Sequence, residues 1–185
     1  MYHGYSVQHE KLLWDARTYV DLLYYPIYST EMGREPKMIE TFAKLWGTNE
    51  LLVSFDGMNL TIPANHPPSE PWPHVDQSPK RKGMQCVQGI LNLAPNGLND
   101  GGLIVLKGSS KLNELFFKTH ETKERTWGPA DWFGFQKDEV NWFIERGCEV
   151  VKVCADPGDL ILWDSRTMHY NVLPESQNTR AVMCE

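Results

Sequence analysis

Short apolar runs dominate the chain from residue 51 onward, and they constrain its fold more than any other feature. They are cut by Pro, Gly and Asn at fairly regular spacing, as in CVQGILNL, GGLIVLKGS, EVVKVC, DLILWD and RAVMCE. The turns at 94–97, 99–102 and 156–159 consist largely of residues that tolerate turn dihedral angles. Many short strands separated in this way are typical of a β-sandwich or a barrel-like jelly roll. We therefore predict a mainly β fold.

The first part of the chain, to about Gly47, has a helical pattern instead. Apolar residues recur at intervals of three and four from Leu12 to Leu23 and again from Ile39 to Trp46. We predict two flanking helices in a support region, residues 1–50, and a β core over residues 51–185 of the same domain. Because the chain ends inside a predicted strand, we expect either a fragment or a chain that lacks disordered segments.

A long connection, roughly residues 111–146, interrupts the strands and concentrates aromatic side chains. Two interpretations remain open. The connection could be a lid over a pocket for an apolar or ring-bearing substrate, or a helical flap packed on the barrel. The aromatic residues are Phe116, Phe117, Trp127, Trp132, Phe133, Phe135, Trp142 and Phe143.

Composition narrows the class of partner. The chain has 185 residues, 41% of them hydrophobic, and a net charge of -6, which indicates a folded domain large enough for a core. Its longest basic run is Lys80–Lys82, so the sequence predicts neither a nucleic-acid partner nor an anionic membrane. It has no apolar stretch of about 20 residues and no leader-like start. We predict a soluble cytoplasmic protein with a small-molecule substrate.

The four cysteines, Cys86, Cys148, Cys154 and Cys184, lack the C-x-x-C spacing of zinc ribbons and redox motifs. We expect free, buried thiols.

The stretch PWPHVDQSPKR contains a candidate metal-binding pair, His74 and Asp76. The H-x-D spacing alone is close to chance and equally fits a surface turn. If residues 73–77 are extended, however, His74 and Asp76 share one face with Val75 opposite, so both can reach one ion. His169, which follows the apolar strand 160–163, is the candidate for a third ligand.

Arg180 heads the apolar run 181–184, where a buried guanidinium needs an anionic partner. That partner is either a protein carboxylate or the carboxylate of a bound ligand. For Arg180 alone a structural salt bridge is the simpler interpretation.

The ordered set His74-x-Asp76, His169 and Arg180, together with GGLIVLKGSSK and PGDLILWDSRTMHYN, resembles the phytanoyl-CoA dioxygenase-like family of Fe(II)/2-oxoglutarate-dependent oxygenases. The resemblance covers about residues 51–185. It implies a double-stranded β-helix of the cupin-like jelly-roll type, in agreement with the strand pattern.

The resemblance also implies a chemistry. His74, Asp76 and His169 would bind Fe(II), a ligand set that suits non-heme iron and O2. Arg180 would pair with the distal carboxylate of 2-oxoglutarate. The expected reaction is hydroxylation of a C–H bond with release of succinate and CO2, and the presence of Asp76 argues against halogenation. We assign no catalytic residue beyond the metal ligands.

Three further polar residues lie in strands expected to line the barrel. Asn59, Asn92 and Gln88 could each hydrogen-bond the cosubstrate or, equally, a neighbouring loop, whereas we expect Trp163 in the core. Two other functions also remain open. One is a catalytically inactive jelly-roll protein that binds a small molecule, and the other is a non-oxidative metal-dependent cupin such as an isomerase.

Overall fold

The computed structural model describes residues 36–52, 57–63, 70–123 and 126–184. The chain divides into two compact units, Met1–Gly57 together with Glu185, and Met58–Cys184. In the first unit, helix α1 spans Pro36–Trp46, as the apolar spacing from Ile39 to Trp46 predicts. The helix predicted from Leu12 to Leu23 lies outside the described residues. No helix in the described part is long and apolar enough to cross a membrane.

Two β-sheets form the second unit. One has the strand order β1-β9-β3-β7 and the other the order β5-β2-β8-β4-β6, so strands distant in sequence lie side by side. The strand pairs whose registers are defined are antiparallel. The strands of the described part are β1 Gly57–Thr61, β2 His74–Val75, β3 Val87–Asn92, β4 Gly102–Lys107, β5 Phe133–Gly134, β6 Glu149–Lys152, β7 Leu160–Asp164, β8 His169–Val172 and β9 Arg180–Cys184.

The predicted turn at 156–159 forms between β6 and β7. The Asp159 backbone N–H donates to the Asp156 carbonyl at 3.1 Å, and the Asp156 N–H donates to the Asp159 carboxylate at 2.8 Å. Gly158 has a φ of 93°, a left-handed conformation that glycine adopts without steric cost. The turn residues therefore give the chain a defined reversal into β7.

The aromatic connection forms two helices, α2 (Ser109–His120) and α3 (Lys137–Ile144), packed on the five-stranded sheet. Phe116 is fully buried at the centre of this cluster, whereas Trp132 stays exposed. The contacts favour the flap interpretation over the lid. The buried members, here called the aromatic core, are Val75, Leu106, Phe116, Phe117, Trp127, Phe135, Phe143, Cys148 and Met168.

The aromatic core fixes the direction of the candidate ligands. Val75 and Met168 belong to it, and each lies next in sequence to a candidate ligand, His74 or His169. Because neighbouring residues in a strand point to opposite faces, both imidazoles point to the other side of the sheet. That side meets the four-stranded sheet, since Gln88 of β3 contacts Asp76.

The prediction of buried thiols is wrong for two cysteines. Cys86 and Cys154 are exposed, Cys148 is buried in the aromatic core, and Cys184 is half-buried. Cys86 begins the run CVQGILNL and Cys154 ends the run EVVKVC, and both lie just outside the strands that these runs form, β3 and β6.

Candidate metal centre

The three predicted ligands His74, Asp76 and His169 lie together in the structure. Each offers one ligand atom, and these atoms all lie within 4.8 Å of one another. The Asp76 carboxylate is 3.7 Å from His74 Nε2 and 3.3 Å from His169 Nε2. His74 of β2 is the direct antiparallel partner of His169 of β8, so the pairing of these strands brings together ligands 95 positions apart in the sequence.

Backbone carbonyl groups orient both imidazoles. His74 Nδ1 lies 3.1 Å from the Trp72 carbonyl oxygen, and His169 Nδ1 lies 2.9 Å from the Thr167 carbonyl oxygen. Since a carbonyl only accepts hydrogen bonds, we assign the ring proton to Nδ1 in each case. Both Nε2 lone pairs then face Asp76, the arrangement that a metal-binding histidine requires.

Burial and neighbouring groups shift the pKa values of His74 and Asp76. Burial lowers the pKa of His74, and proximity to His169 lowers it further, against the opposing effect of Asp76. Burial would raise the pKa of Asp76, but the hydrogen bond that His169 donates when its ring is protonated, together with the one from Gln88, brings it below its ordinary value. Both shifts favour the deprotonated forms, which are the forms that bind a metal ion.

A hydrogen-bonded scaffold holds Asp76 in place. Gln88 Nε2 donates to Asp76 Oδ2 at 2.8 Å, and the Asp76 N–H donates to the Ser165 carbonyl at 3.1 Å. The fully buried Ser165 hydroxyl donates to Gln77 Oε1 at 3.0 Å, and Gln77 Nε2 donates to the Gly83 carbonyl. The loop after β2 is therefore tied to the loop after β7.

Two indole rings contact the imidazoles. Trp72 stacks on His74 with a centroid distance of 4.1 Å and an interplanar angle of 6°, yet it is 58% exposed. Trp163 meets His169 edge to face at 5.4 Å. Trp163, which the sequence places in the core, therefore lies beside the metal cluster and is only half-buried.

Arg180 is 5% exposed and begins β9. Its Nη1 donates to Asn59 Oδ1 at 3.2 Å, and no carboxylate of the described residues forms an ion pair with it. Burial lowers the pKa of Arg180, although a guanidinium remains protonated at any ordinary pH. Within the part of the chain that the structure describes, the buried charge therefore has no carboxylate with which to form a structural salt bridge.

Gly102 makes room for this guanidinium. A Cβ atom at position 102 would lie 2.5 Å from Arg180 Nε, and Gly102 has a φ of 92°. Both facts require glycine at the second position of the GGLIVL stretch.

The three polar candidates, Asn59, Gln88 and Asn92, contact different groups. Asn59 contacts Arg180, and Gln88 contacts Asp76. The Asn92 amide donates to the carbonyl groups of Ala94, Ala155 and Asp156 at 2.6, 3.1 and 3.1 Å, so its NH2 group holds neighbouring loops. Cosubstrate contacts by Asn59 and Asn92 stay predictions.

Sequence reasoning missed several contributors. Trp72 and Thr167 orient the imidazoles through backbone carbonyls, for which no residue type is a signal, and Trp72 also stacks on His74. Gln77 and Ser165 look like ordinary loop residues until the fold brings them together. The paired glycines before LIVL were the signal that could have led to Gly102.

Comparisons with known proteins agree with this architecture. No family model matches the chain. Ava biosynthesis cluster protein O of Aspergillus versicolor is 42% identical over 181 residues, which are 95% of this chain and 54% of that protein.

Two solved structures of EctD from S. alaskensis share the fold at 16% identity. The structure with 2-oxoglutarate and 5-hydroxyectoine has a TM-score of 0.58 and matches 84% of this chain and 50% of EctD. The structure with bound Fe has a TM-score of 0.59 and matches 83% and 50%. The chain thus spans about half the length of these proteins. The predicted mainly β jelly-roll fold is confirmed.

Proposed function

We propose that this chain carries the active site of an Fe(II)- and 2-oxoglutarate-dependent dioxygenase that hydroxylates a small apolar organic substrate, with release of succinate and CO2. The observation that supports it best is the convergence of two imidazole Nε2 atoms and one carboxylate inside a jelly roll. The bound Fe and 2-oxoglutarate in the EctD structures support the same choice of cofactor and cosubstrate.

The donor set fits Fe(II). His74 and His169 would supply two neutral nitrogen ligands and Asp76 one carboxylate oxygen, the donor set that is typical of non-heme iron oxygenases. When bound, the iron supplies the oxidation of the cosubstrate and of a substrate C–H bond by O2. The chain's own contribution is to hold the imidazole rings through Nδ1 and the carboxylate through Gln88 and the Ser165 carbonyl.

Arg180 has the position and charge to bind the distal carboxylate of 2-oxoglutarate. Its side chain lies over Gly102, and Val105, three residues along β4, pairs with His169. Three residues of a strand span about 10 Å. A dicarboxylate can therefore reach from the metal cluster to a buried guanidinium that bonds only a neutral amide among the described residues.

The relative from Aspergillus versicolor supports a small organic substrate, because it is a biosynthesis cluster protein. Membership of the phytanoyl-CoA dioxygenase-like family, the cytoplasmic location and the single-domain organisation stay predictions.

Anaerobic addition of Fe(II) and 2-oxoglutarate tests the proposal. A weak visible charge-transfer band should develop, and admission of O2 with a substrate panel of acyl thioesters, amino acids and polyketide or terpenoid scaffolds should release succinate. Iron binding without the band would contradict the proposal. Tight ligand binding with succinate release that no substrate stimulates would favour an inactive binding protein, and turnover without O2 would favour a cupin isomerase.

A further inference from the structure

We infer that Gln88 and Trp163 form a neutral polar subsite beside the metal cluster, built to take a hydroxyl group. Two buried atoms of residues that contact the metal ligands, Gln88 Oε1 and Trp163 Nε1, have no hydrogen-bond partner in the described part of the chain. An unsatisfied buried polar atom costs free energy, and a protein tolerates it where a ligand completes the bond.

The identities of the two atoms are fixed by their chemistry. Gln88 presents its amide nitrogen to Asp76 at 2.8 Å, and the ionised carboxylate can only accept hydrogen bonds. A flipped amide would place oxygen against oxygen, so Oε1 is the atom left over. The indole Nε1 of Trp163 is a donor only. The subsite thus offers one acceptor and one donor.

The strands bring the two residues together. Gln88 of β3 and Trp163 of β7 are direct antiparallel partners, and such partners project from the same face of a sheet. Gln88 contacts Asp76, and the Trp163 ring contacts His169. Both side chains therefore flank the metal ligands, on the sheet opposite the one that holds the two histidines.

A donor beside an acceptor selects the chemistry of the guest. A hydroxyl group can accept from Trp163 and donate to Gln88, whereas a carboxylate would be repelled by Gln88 Oε1 and an ammonium group could not accept from Trp163. The subsite therefore differs from that of Arg180, which suits an anion. The inference rests on the proposed metal centre. The hydroxyl group that fills the subsite belongs either to a metal-bound water or to an alcohol group of a bound organic molecule.

Trp163→Phe is the test variant because it removes the N–H and keeps a ring against His169. Trp127→Phe is the matched control, since the Trp127 indole donates to the Phe117 carbonyl at 3.3 Å inside the aromatic core. In metal-free protein both substitutions remove part of a ring, but only Trp127→Phe also removes a satisfied hydrogen bond, so Trp163→Phe should lose less stability toward urea than Trp127→Phe. A Trp163→Phe protein destabilised as much as the control would contradict the inference.

Two binding measurements on the Mn(II)-loaded full chain separate the sources of the hydroxyl. Solvent proton relaxation reports the exchange of metal-bound water with bulk water. If water is the guest, this exchange rate should differ between Trp163→Phe and wild type. If an alcohol is the guest, cyclohexanol should bind Trp163→Phe about 2- to 10-fold more weakly than wild type. Methoxycyclohexane, which has no donor for Gln88, should bind wild type more weakly than cyclohexanol.

Trp127→Phe should alter neither signal and should keep the wild-type Mn(II) affinity. If Trp163→Phe changes neither water exchange nor cyclohexanol binding, the subsite does not exist. These readouts need no O2 and no turnover. A protein that shows them but forms no succinate contradicts the proposed function alone, and an active enzyme that lacks them contradicts the subsite alone.

Discussion

The two faces of the five-stranded sheet differ in how completely their groups are satisfied. On the outer face Phe116 and Phe143 are buried among other rings with centroid distances of 4.0 to 6.4 Å, and the indole N–H of Trp127 has an acceptor. On the inner face, the cluster of His74, Asp76 and His169 lies beside two unpartnered polar atoms. The outer face therefore stabilises the fold, and the inner face is left incomplete for a ligand.

The two faces should affect the free energy of unfolding in opposite directions. Burial of a large apolar side chain stabilises a protein by about 1.5–3 kcal/mol, whereas an unsatisfied buried polar group costs about 1–3 kcal/mol. Substitutions on the outer face should therefore change the free energy of unfolding, and substitutions on the inner face should change ligand affinity.

The largest expected effect is on metal binding. His169→Ala should weaken Fe(II) or Mn(II) binding by more than about 100-fold, since it removes a direct ligand and second-shell changes alone cost 10- to 100-fold. Calorimetric titration of Mn(II) measures this. His120→Ala is the control, because His120 lies on the outer face, stacked on Phe116. Equal metal affinity in the His169→Ala and His120→Ala proteins would refute the assignment of the ligands.

Phe116→Ala should destabilise the protein by about 3–5 kcal/mol, because it leaves a cavity at the centre of the aromatic core. Urea unfolding measures the change, and Mn(II) affinity at low urea should remain close to wild type. Leu115→Ala, at a neighbouring position that is 46% exposed, should cost less than about 0.5 kcal/mol. A Phe116→Ala protein that is stable but binds no metal would show that the two faces are not separable.

Arg180→Ala should weaken 2-oxoglutarate binding to the Mn(II)-loaded protein by about 10- to 100-fold, the range for hydrogen bonds to a charged group. Folding stability should change little, because no described carboxylate loses a partner. Gly102→Ala should produce a similar loss by displacing the guanidinium. Arg146→Ala, a cation stacked on Trp142 of the outer face, is the matched control. An Arg180→Ala protein that was less stable toward urea but bound 2-oxoglutarate as tightly as wild type would instead support a structural role for Arg180.

The smallest expected effect is on the pH dependence of stability, through Asp100, which binds the loop before Arg180. Hydrogen bonds from Ser176, the Gly97 N–H and Asn178 lower the pKa of Asp100 below its ordinary value of 3.8. The native state therefore binds fewer protons than the unfolded state, so this stabilisation is present above pH 3.8 and is lost as the pH falls through the lowered pKa. Urea unfolding between pH 5.5 and 3 should show it, and Asp100→Asn should flatten this dependence. If the free energy of unfolding of Asp100→Asn depended on pH as steeply as that of wild type, this assignment to Asp100 would be contradicted.

Strands and turns were predictable because alternation and turn residues report local burial and local dihedral angles. The runs before Asn92 and before Asp164 became strands, and the 156–159 turn formed. The two-residue strand β5 was not predictable, because Phe133–Gly134 lies among aromatic residues that show no alternation.

The candidate site was predictable in its residue types but not in its contacts. The set His74, Asp76 and His169 could be proposed from order and spacing, and the structure brings the three together. The amide of Asn92 bonds carbonyl groups up to 64 positions away, and a carbonyl partner carries no residue-type signal. The half-buried setting of Trp163 likewise depends on which strand lies opposite β7.

The register of β2 has a consequence for folding. His74 pairs with His169 on one side and with Gly134 on the other, and its neighbour Val75 belongs to the aromatic core. A slip by one residue would place an imidazole among the rings and an isopropyl group at the metal cluster. Correct packing of the outer face and assembly of the ligand set are thus one event, and a bound ion would lock the strand against sliding.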